Sequence, residues 1–336
     1  MDIDNQSWLA LTVEEPVDPA LPICDPHHHL YDRTNRLHPG INYLVEEYLG
    51  DIGTGHNVTK TVFVQAGEMY KKDAPGEMQP VGETETVERI TAPTQAGKTR
   101  VAAGIVGFAD LTLGAEVAPV LEAHIKAGKE RFRGIRYAPA WDASNEIVSY
   151  RKTPGILSDK NFLAGFACLQ RYGLSYDAWL YHPQMAELAD LANAFPEVPI
   201  ILNHTGGPLR IGPYAKKREA AFGEWQQGIA RLAACPNVFI KLGALGMRMF
   251  GFGWHERAKP PGSEELAGAM APYYLWCIEK LGTCRCMFES NFPADRLSYS
   301  YTVLWNTFKR IVKDFSASEK SALFYGTAVK AYRLAK

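Results

Sequence analysis

The chain has 336 residues, of which 46% are apolar and 22% charged, a composition that packs a core and excludes a disordered tract of this length. With 36 basic residues against 37 acidic ones, the formal net charge is -1, which excludes the basic field that a nucleic-acid partner needs. No apolar run is long enough to span a membrane, and the opening MDIDNQSWLALTVEEP is acidic and lacks the pattern of a leader.

Eight short apolar, β-branched runs follow one another along the chain. They lie near Ile23–His27, Thr61–Gln65, Val101–Gly107, Phe132–Tyr137, Leu174–Leu180, Ile200–His204, Val238–Gly243 and Arg285–Ser290. Their spacing of roughly 25–50 residues accommodates a strand, a helix and two loops each. VPIILNH and NVFIKLG are continuous apolar runs, as expected of strands covered on both faces. Between the runs, Pro119–Ala127 and Gln184–Ala194 repeat apolar residues at helical steps, and Gly128 and Gly173 are placed as helix stops. Two further helices are expected at Tyr299–Lys313 and Ser318–Leu334, the second opened by a Ser316–Glu319 capping box. Eight such units in a row predict a single-domain (β/α)8 TIM barrel over residues 23–336, preceded by an extension over 1–22. An open doubly wound sheet is disfavoured, because no Gly-x-Gly-x-x-Gly turn follows an early strand. The six cysteines are scattered, with no disulfide or zinc spacing, and point to reduced thiols in the cytoplasm.

In such a barrel, reactive groups sit at the C-terminal strand ends. The first strand ends in Asp25-Pro-His27-His28-His29. Residues two apart share a face, so His27 and His29 can both enter the barrel mouth while His28 points away. Two imidazoles on one face suit a divalent metal. His182 ends the fifth run and His204 the sixth. In the eighth, Glu289 and Asn291 share a face, with Glu289 one layer deeper and in need of a partner or a proton. Arg136 on the fourth strand can reach a substrate carboxylate bidentately. The loop GGPLRIGPYAKKR contributes Arg210 and Tyr214, its cations suggesting a bound anion. The long stretch after strand seven contributes Trp254 and His255, in the position of a lid over an apolar or aromatic-derived substrate.

DPHHHLYD, YHPQM, ILNHTGGP and MFESNFPAD, in this order, resemble the amidohydrolase-2 branch of the amidohydrolase superfamily, which includes sugar lactonases, pyrone-dicarboxylate lactonase and metal-dependent decarboxylases. The resemblance runs from about residue 23 to the C-terminus. It implies that His27, His29 and His182 are metal ligands, zinc being the expected ion and a metal-free histidine site the alternative, and that His204 is the acid/base. It also implies a departure: the branch has Asp where this chain has Asn291, and an amide cannot act as a general base. The activity implied is water attack on a small carbonyl substrate, a lactone or related ester, often carboxylate-bearing. A metal-dependent decarboxylase and an inactive ligand-binding barrel are the alternatives. A small-molecule partner is expected, and exposed aromatic loops are compatible with a homodimer.

Overall fold

The computed structural model describes residues 5–33 and 40–335. Eight strands are present: β1 (Pro22–His28), β2 (Asn57–Val64), β3 (Arg100–Gly107), β4 (Phe132–Tyr137), β5 (Ser175–Ala178), β6 (Ile200–Leu202), β7 (Val238–Leu242) and β8 (Cys286–Phe288). They pair in parallel in sequence order. Beyond β8 the chain returns to β1: the Asn291 amide donates to the His27 carbonyl (2.9 Å) and the His29 amide to the Phe292 carbonyl (2.8 Å). The result is a nearly closed (β/α)8 TIM barrel with helices in the crossovers, as the strand pattern predicts.

β5 and β6 are shorter than their apolar runs because the chain turns into 3-10 geometry at His182–Gln184 and at His204–Gly206. Helices occupy Ala118–Gly128 and Met185–Ala194, in the two gaps where helical periodicity is clearest. The final expected helix is divided into three pieces. Ala317–Ser321 follows the Ser316–Glu319 capping box, a π turn comes next at Ala322–Gly326, and Thr327–Ala331 ends the series.

These last residues close one end of the barrel. Ala328, Ala331, Tyr332 and Leu334 pack on Cys24, Val62, Val106, Ile201, Phe239 and Met287. Lys60, near the start of β2, donates to the Ala335 carbonyl (2.7 Å). The catalytic possibilities are thereby confined to the other end. Residues before β1 lie over the outer helices: Glu14 accepts from the Ser263 amide (2.7 Å) and from Asn306 (2.9 Å). Among the described residues, no helix is long and apolar enough to cross a membrane.

Candidate active site

A cavity of about 540 Å³ opens where the strand ends converge. Its polar lining comes from His29, Gln65, Arg136, His204, Arg248 and Asn291. Its apolar walls are Tyr31, Val148, Tyr150, Trp179, Met247 and Met249 with small residues between them.

The period-2 reading of β1 holds for the ring directions. His27 and His29 lie on the inner side, their Nε2 atoms 3.2 Å apart. His28 points the other way, stacked on Tyr48 at 4.2 Å and bonded to the Thr61 hydroxyl. His29 Nδ1 donates to the Val64 carbonyl at 2.8 Å, which leaves its Nε2 as an acceptor in the neutral ring. His204 is brought beside them by an unusual backbone run: His204, Thr205, Gly206 and Gly207 all have φ between 55° and 71°. Gly207 is required there, since a Cβ would meet the Leu180 carbonyl oxygen at 2.1 Å.

Glu289 lies beneath, fully buried, in space left by Gly243, whose absent Cβ would sit 2.4 Å from the Glu289 Cγ. Its Oε1 accepts from the His204 backbone amide (3.0 Å) and from His204 Nδ1 (2.9 Å). Its Oε2 stands 2.8 Å from His27 Nδ1 but off the line of the ring N–H, so no hydrogen bond satisfies it. Burial pushes the Glu289 carboxyl up to about 7 against the opposing pull of Lys241, the His204 amide and Arg136. Burial likewise drives His27, His29 and His204 well below the usual imidazole range, helped by Lys241 at His27 and by Arg136 at His29 and His204. All three rings are therefore neutral at pH 7. With its Nδ1 hydrogen held by Glu289, His204 presents Nε2 as an acceptor, 3.4 Å from the Arg136 guanidinium.

Arg136 also donates to the Gln65 carbonyl (3.2 Å), but its buried Nε has no partner. Among the described residues it makes no ion pair with a carboxylate, and it faces the cavity. Asn291 donates its amide to Asp295 Oδ1 (2.8 Å), which leaves the amide oxygen as the atom available to the mouth. Asp295 is in turn held by the Tyr299 hydroxyl and the Gly246 amide.

Several expected positions fall elsewhere. His182 does not join the histidine cluster. Its Nδ1 accepts from the Leu209 amide (3.3 Å), Nε2 faces Glu224 (3.7 Å) and the ring packs on Tyr214. The physical reason is the length of the turn. β5 stops at Ala178, so Trp179 is the residue that enters the mouth, edge-on to His204 at 4.6 Å, and His182 lies beyond the turn. Arg210, Tyr214, Trp254 and His255 do not line the cavity either. Trp254 stacks on Phe252 (4.4 Å), Arg210 covers the Phe252 ring (4.2 Å) and Tyr214 donates to Asp142 (2.7 Å). His255 faces Glu256 at 3.5 Å. Trp254 and Arg210 brace the long loop after β7 while Tyr214 ties its own loop to the one after β4, and the loop after β7 instead supplies Met247, Arg248 and Met249 to the cavity. Stacked on Phe252, the Trp254 ring buries its face within the loop.

Sequence reasoning also missed Lys241. It is fully buried on β7, pairs with Asp177 (2.7 Å) and reaches His27 Nδ1 (3.1 Å). Asp177 further accepts from Asn203 (3.0 Å) and Tyr332 (2.7 Å). The available signal was a lysine in the middle of the apolar run NVFIKLG, a position where a charge needs a partner.

Two nitrogens at about 2.0–2.1 Å from a tetrahedral ion are about 3.3 Å apart, and the 3.2 Å between His27 Nε2 and His29 Nε2 fits that geometry. His27, His204 and Glu289 also offer donor atoms within 4.8 Å of one another. The Glu289 contact with His204 Nδ1, at 2.9 Å, is that of a carboxylate that orients an imidazole rather than of a ligand shared with it. The Nε2 pair is thus the better seat for a divalent ion.

Comparison with known proteins agrees with this architecture. The amidohydrolase family model (Amidohydro_2) matches residues 24–334. The uncharacterized protein y4mH of Sinorhizobium fredii is 34% identical over 93% of this chain and 98% of its own length. An L-fucono-1,5-lactonase of Burkholderia multivorans is 24% identical over 70% of this chain and 73% of its own. An amidohydrolase from Burkholderia multivorans, solved with bound zinc, superposes with a TM-score of 0.69 at 21% identity, covering 93% of this chain and 99% of that one.

Proposed function

Since the chain belongs to the amidohydrolase family, we propose that it hydrolyses a small lactone or related ester bearing a carboxylate, with His204 as the acid/base. The observation that carries this reading is the setting of His204: a neutral ring with Nδ1 tethered to Glu289 and Nε2 directed at a guanidinium beside an apolar-walled cavity. Arg136, without a carboxylate partner of its own, binds the carboxylate of the substrate and orients the ring. His204 Nε2 takes a proton as water adds to the carbonyl, and Glu289 stabilises the imidazolium formed. The carbon–oxygen bond of the lactone then breaks, and the same proton passes from Nε2 to the leaving alkoxide. The Asn291 amide oxygen accepts the second hydrogen of the water and so aims its lone pair. A divalent ion, zinc in this proposal, would be held by His27 and His29 and would supply Lewis acidity at the carbonyl.

The test is a panel of carboxylate-bearing lactones assayed by pH-stat, with products identified by mass spectrometry. The wild-type protein is expected to yield ring-opened acid, and His204→Ala to lower kcat by about 10²-fold or more. Activity of His204→Ala within a few fold of wild type removes the role given to His204. Release of carbon dioxide from a carboxylate panel, without ring opening, transfers the site to decarboxylation.

A further inference from the structure

His27 Nδ1 stands between a donor and an acceptor: the Lys241 ammonium at 3.1 Å and Glu289 Oε2 at 2.8 Å. A neutral imidazole carries one hydrogen, so the ring must satisfy one neighbour or the other. Two independent constraints choose between them. Lys241 has only donors, which asks for a lone pair on Nδ1 and hence a hydrogen on Nε2. On the far side, His29 donates through Nδ1 to the Val64 carbonyl, so its Nε2 is an acceptor facing His27 Nε2 at 3.2 Å. That contact also asks for a hydrogen on His27 Nε2. The opposite tautomer sets N–H against ammonium on one side and lone pair against lone pair on the other. Glu289 Oε2 remains without a hydrogen-bond donor, as observed.

We propose that Lys241 is a positioning residue that locks His27 in the tautomer with its hydrogen on Nε2, so that this hydrogen occupies the gap where His27 and His29 would hold a divalent ion. Loading and the Lys241–His27 hydrogen bond are therefore alternatives. When an ion enters, the ring loses the Nε2 hydrogen and gains one on Nδ1 through solvent, staying neutral. A small rotation of the ring then brings the Nδ1 hydrogen into line with Glu289 Oε2, 2.8 Å away, and Lys241 keeps its bond to Asp177. Glu289 is the acceptor that waits for the loaded state, the usual carboxylate–histidine–metal arrangement, while Lys241 is the donor that opposes it. This inference concerns the loading of the site and stands whichever carbonyl substrate is turned over.

The experiment uses the full chain, stripped with chelator and labelled with 15N-histidine. Long-range 1H–15N spectra at neutral pH report the tautomer of each ring directly. His27 is expected to carry its hydrogen on Nε2 in the stripped protein and on Nδ1 after saturation with zinc. A stripped wild type with the hydrogen on Nδ1 overturns the proposal without any variant. Zinc affinity, read by competition with a chromophoric chelator, is expected to tighten by about tenfold or more in Lys241→Met. Because that change leaves Asp177 alone in the barrel, Lys241→Met combined with Asp177→Asn provides a charge-neutral companion. Zinc affinity in the folded double variant equal to or weaker than that of wild type, including no binding by either, also overturns it.

Discussion

Asn291 offers the mouth an oxygen without a charge, and its orientation is set by its neighbour. The amide donates to Asp295 Oδ1 at 2.8 Å, and burial has already pushed the Asp295 carboxyl up to about 7. Asn291→Asp would replace that donor with a second carboxylate, and two carboxylates at this distance cannot both ionise. The folded-state pKa of the pair is then raised above the unfolded value, so the pair's contribution to stability falls as pH rises from about 4 to beyond 7. The melting temperature of Asn291→Asp is expected to drop below wild type by several degrees at pH 8 and by much less at pH 5, as calorimetry at the two pH values can measure. Equal deficits at both would mean that the new carboxylate has found another partner. The residues legible in the sequence were those on the period of a strand, His27, His29, Glu289 and Asn291, because a period of two fixes their side from local spacing alone. His204 was legible as the end of an apolar run. Lys241 was not, since its role depends on Asp177 from another strand, and the separation of His182 from the other histidines was not, because nothing local states how long the turn after β5 is.

The loops at the strand ends are held by groups that take no part in lining the cavity. Glu83, on the helix Val81–Thr91, accepts from the Ala66 (2.9 Å) and Glu68 (3.0 Å) amides and so fixes the loop that begins with Gln65, the carbonyl partner of Arg136. Burial pushes its carboxyl up to about 8. A carboxyl raised this way favours the folded state when protonated, and that contribution is lost as pH climbs from about 4.5 through 8. Glu83→Gln keeps an acceptor and removes the titration. Its stability relative to wild type should therefore grow from pH 5 to pH 9 by an amount on the order of a few kcal/mol, measurable by urea denaturation. A pH-independent difference would show that Glu83 does not titrate in this window. At the next loop, Gly207→Ala forces a Cβ against the Leu180 carbonyl at a φ of 60°. Its expected cost is on the order of 3 kcal/mol, and a loss below about 0.5 kcal/mol in the same assay would mean that the His204–Gly207 turn can relax. Strands were readable because buried parallel strands are continuously apolar, whereas the aromatic loop after β7 was readable only as a loop. Which of its rings stack on one another and which meet a ligand is decided by tertiary packing.

At the scale of the whole barrel, the two ends are joined through the interior. Tyr332, in the segment that seals one end, donates to Asp177, which grips Lys241, which touches His27 at the other. Tyr332→Phe leaves the packing and removes one buried hydrogen bond to a carboxylate, an expected loss of about 1–3 kcal/mol. Denaturant midpoints compare the two proteins, and an unchanged midpoint would mean that Asp177 is satisfied without Tyr332. This arrangement also bears on how the molecule comes into being. Strands and histidines emerge from synthesis in order, yet the contact that braces Asp177 belongs to residue 332. A nascent chain halted before the π turn therefore lacks both the cover over Val62, Phe239 and Met287 and one of the donors to the buried charge. Competence at the mouth should arrive late and together with closure of the opposite end, making the last segment a checkpoint on assembly.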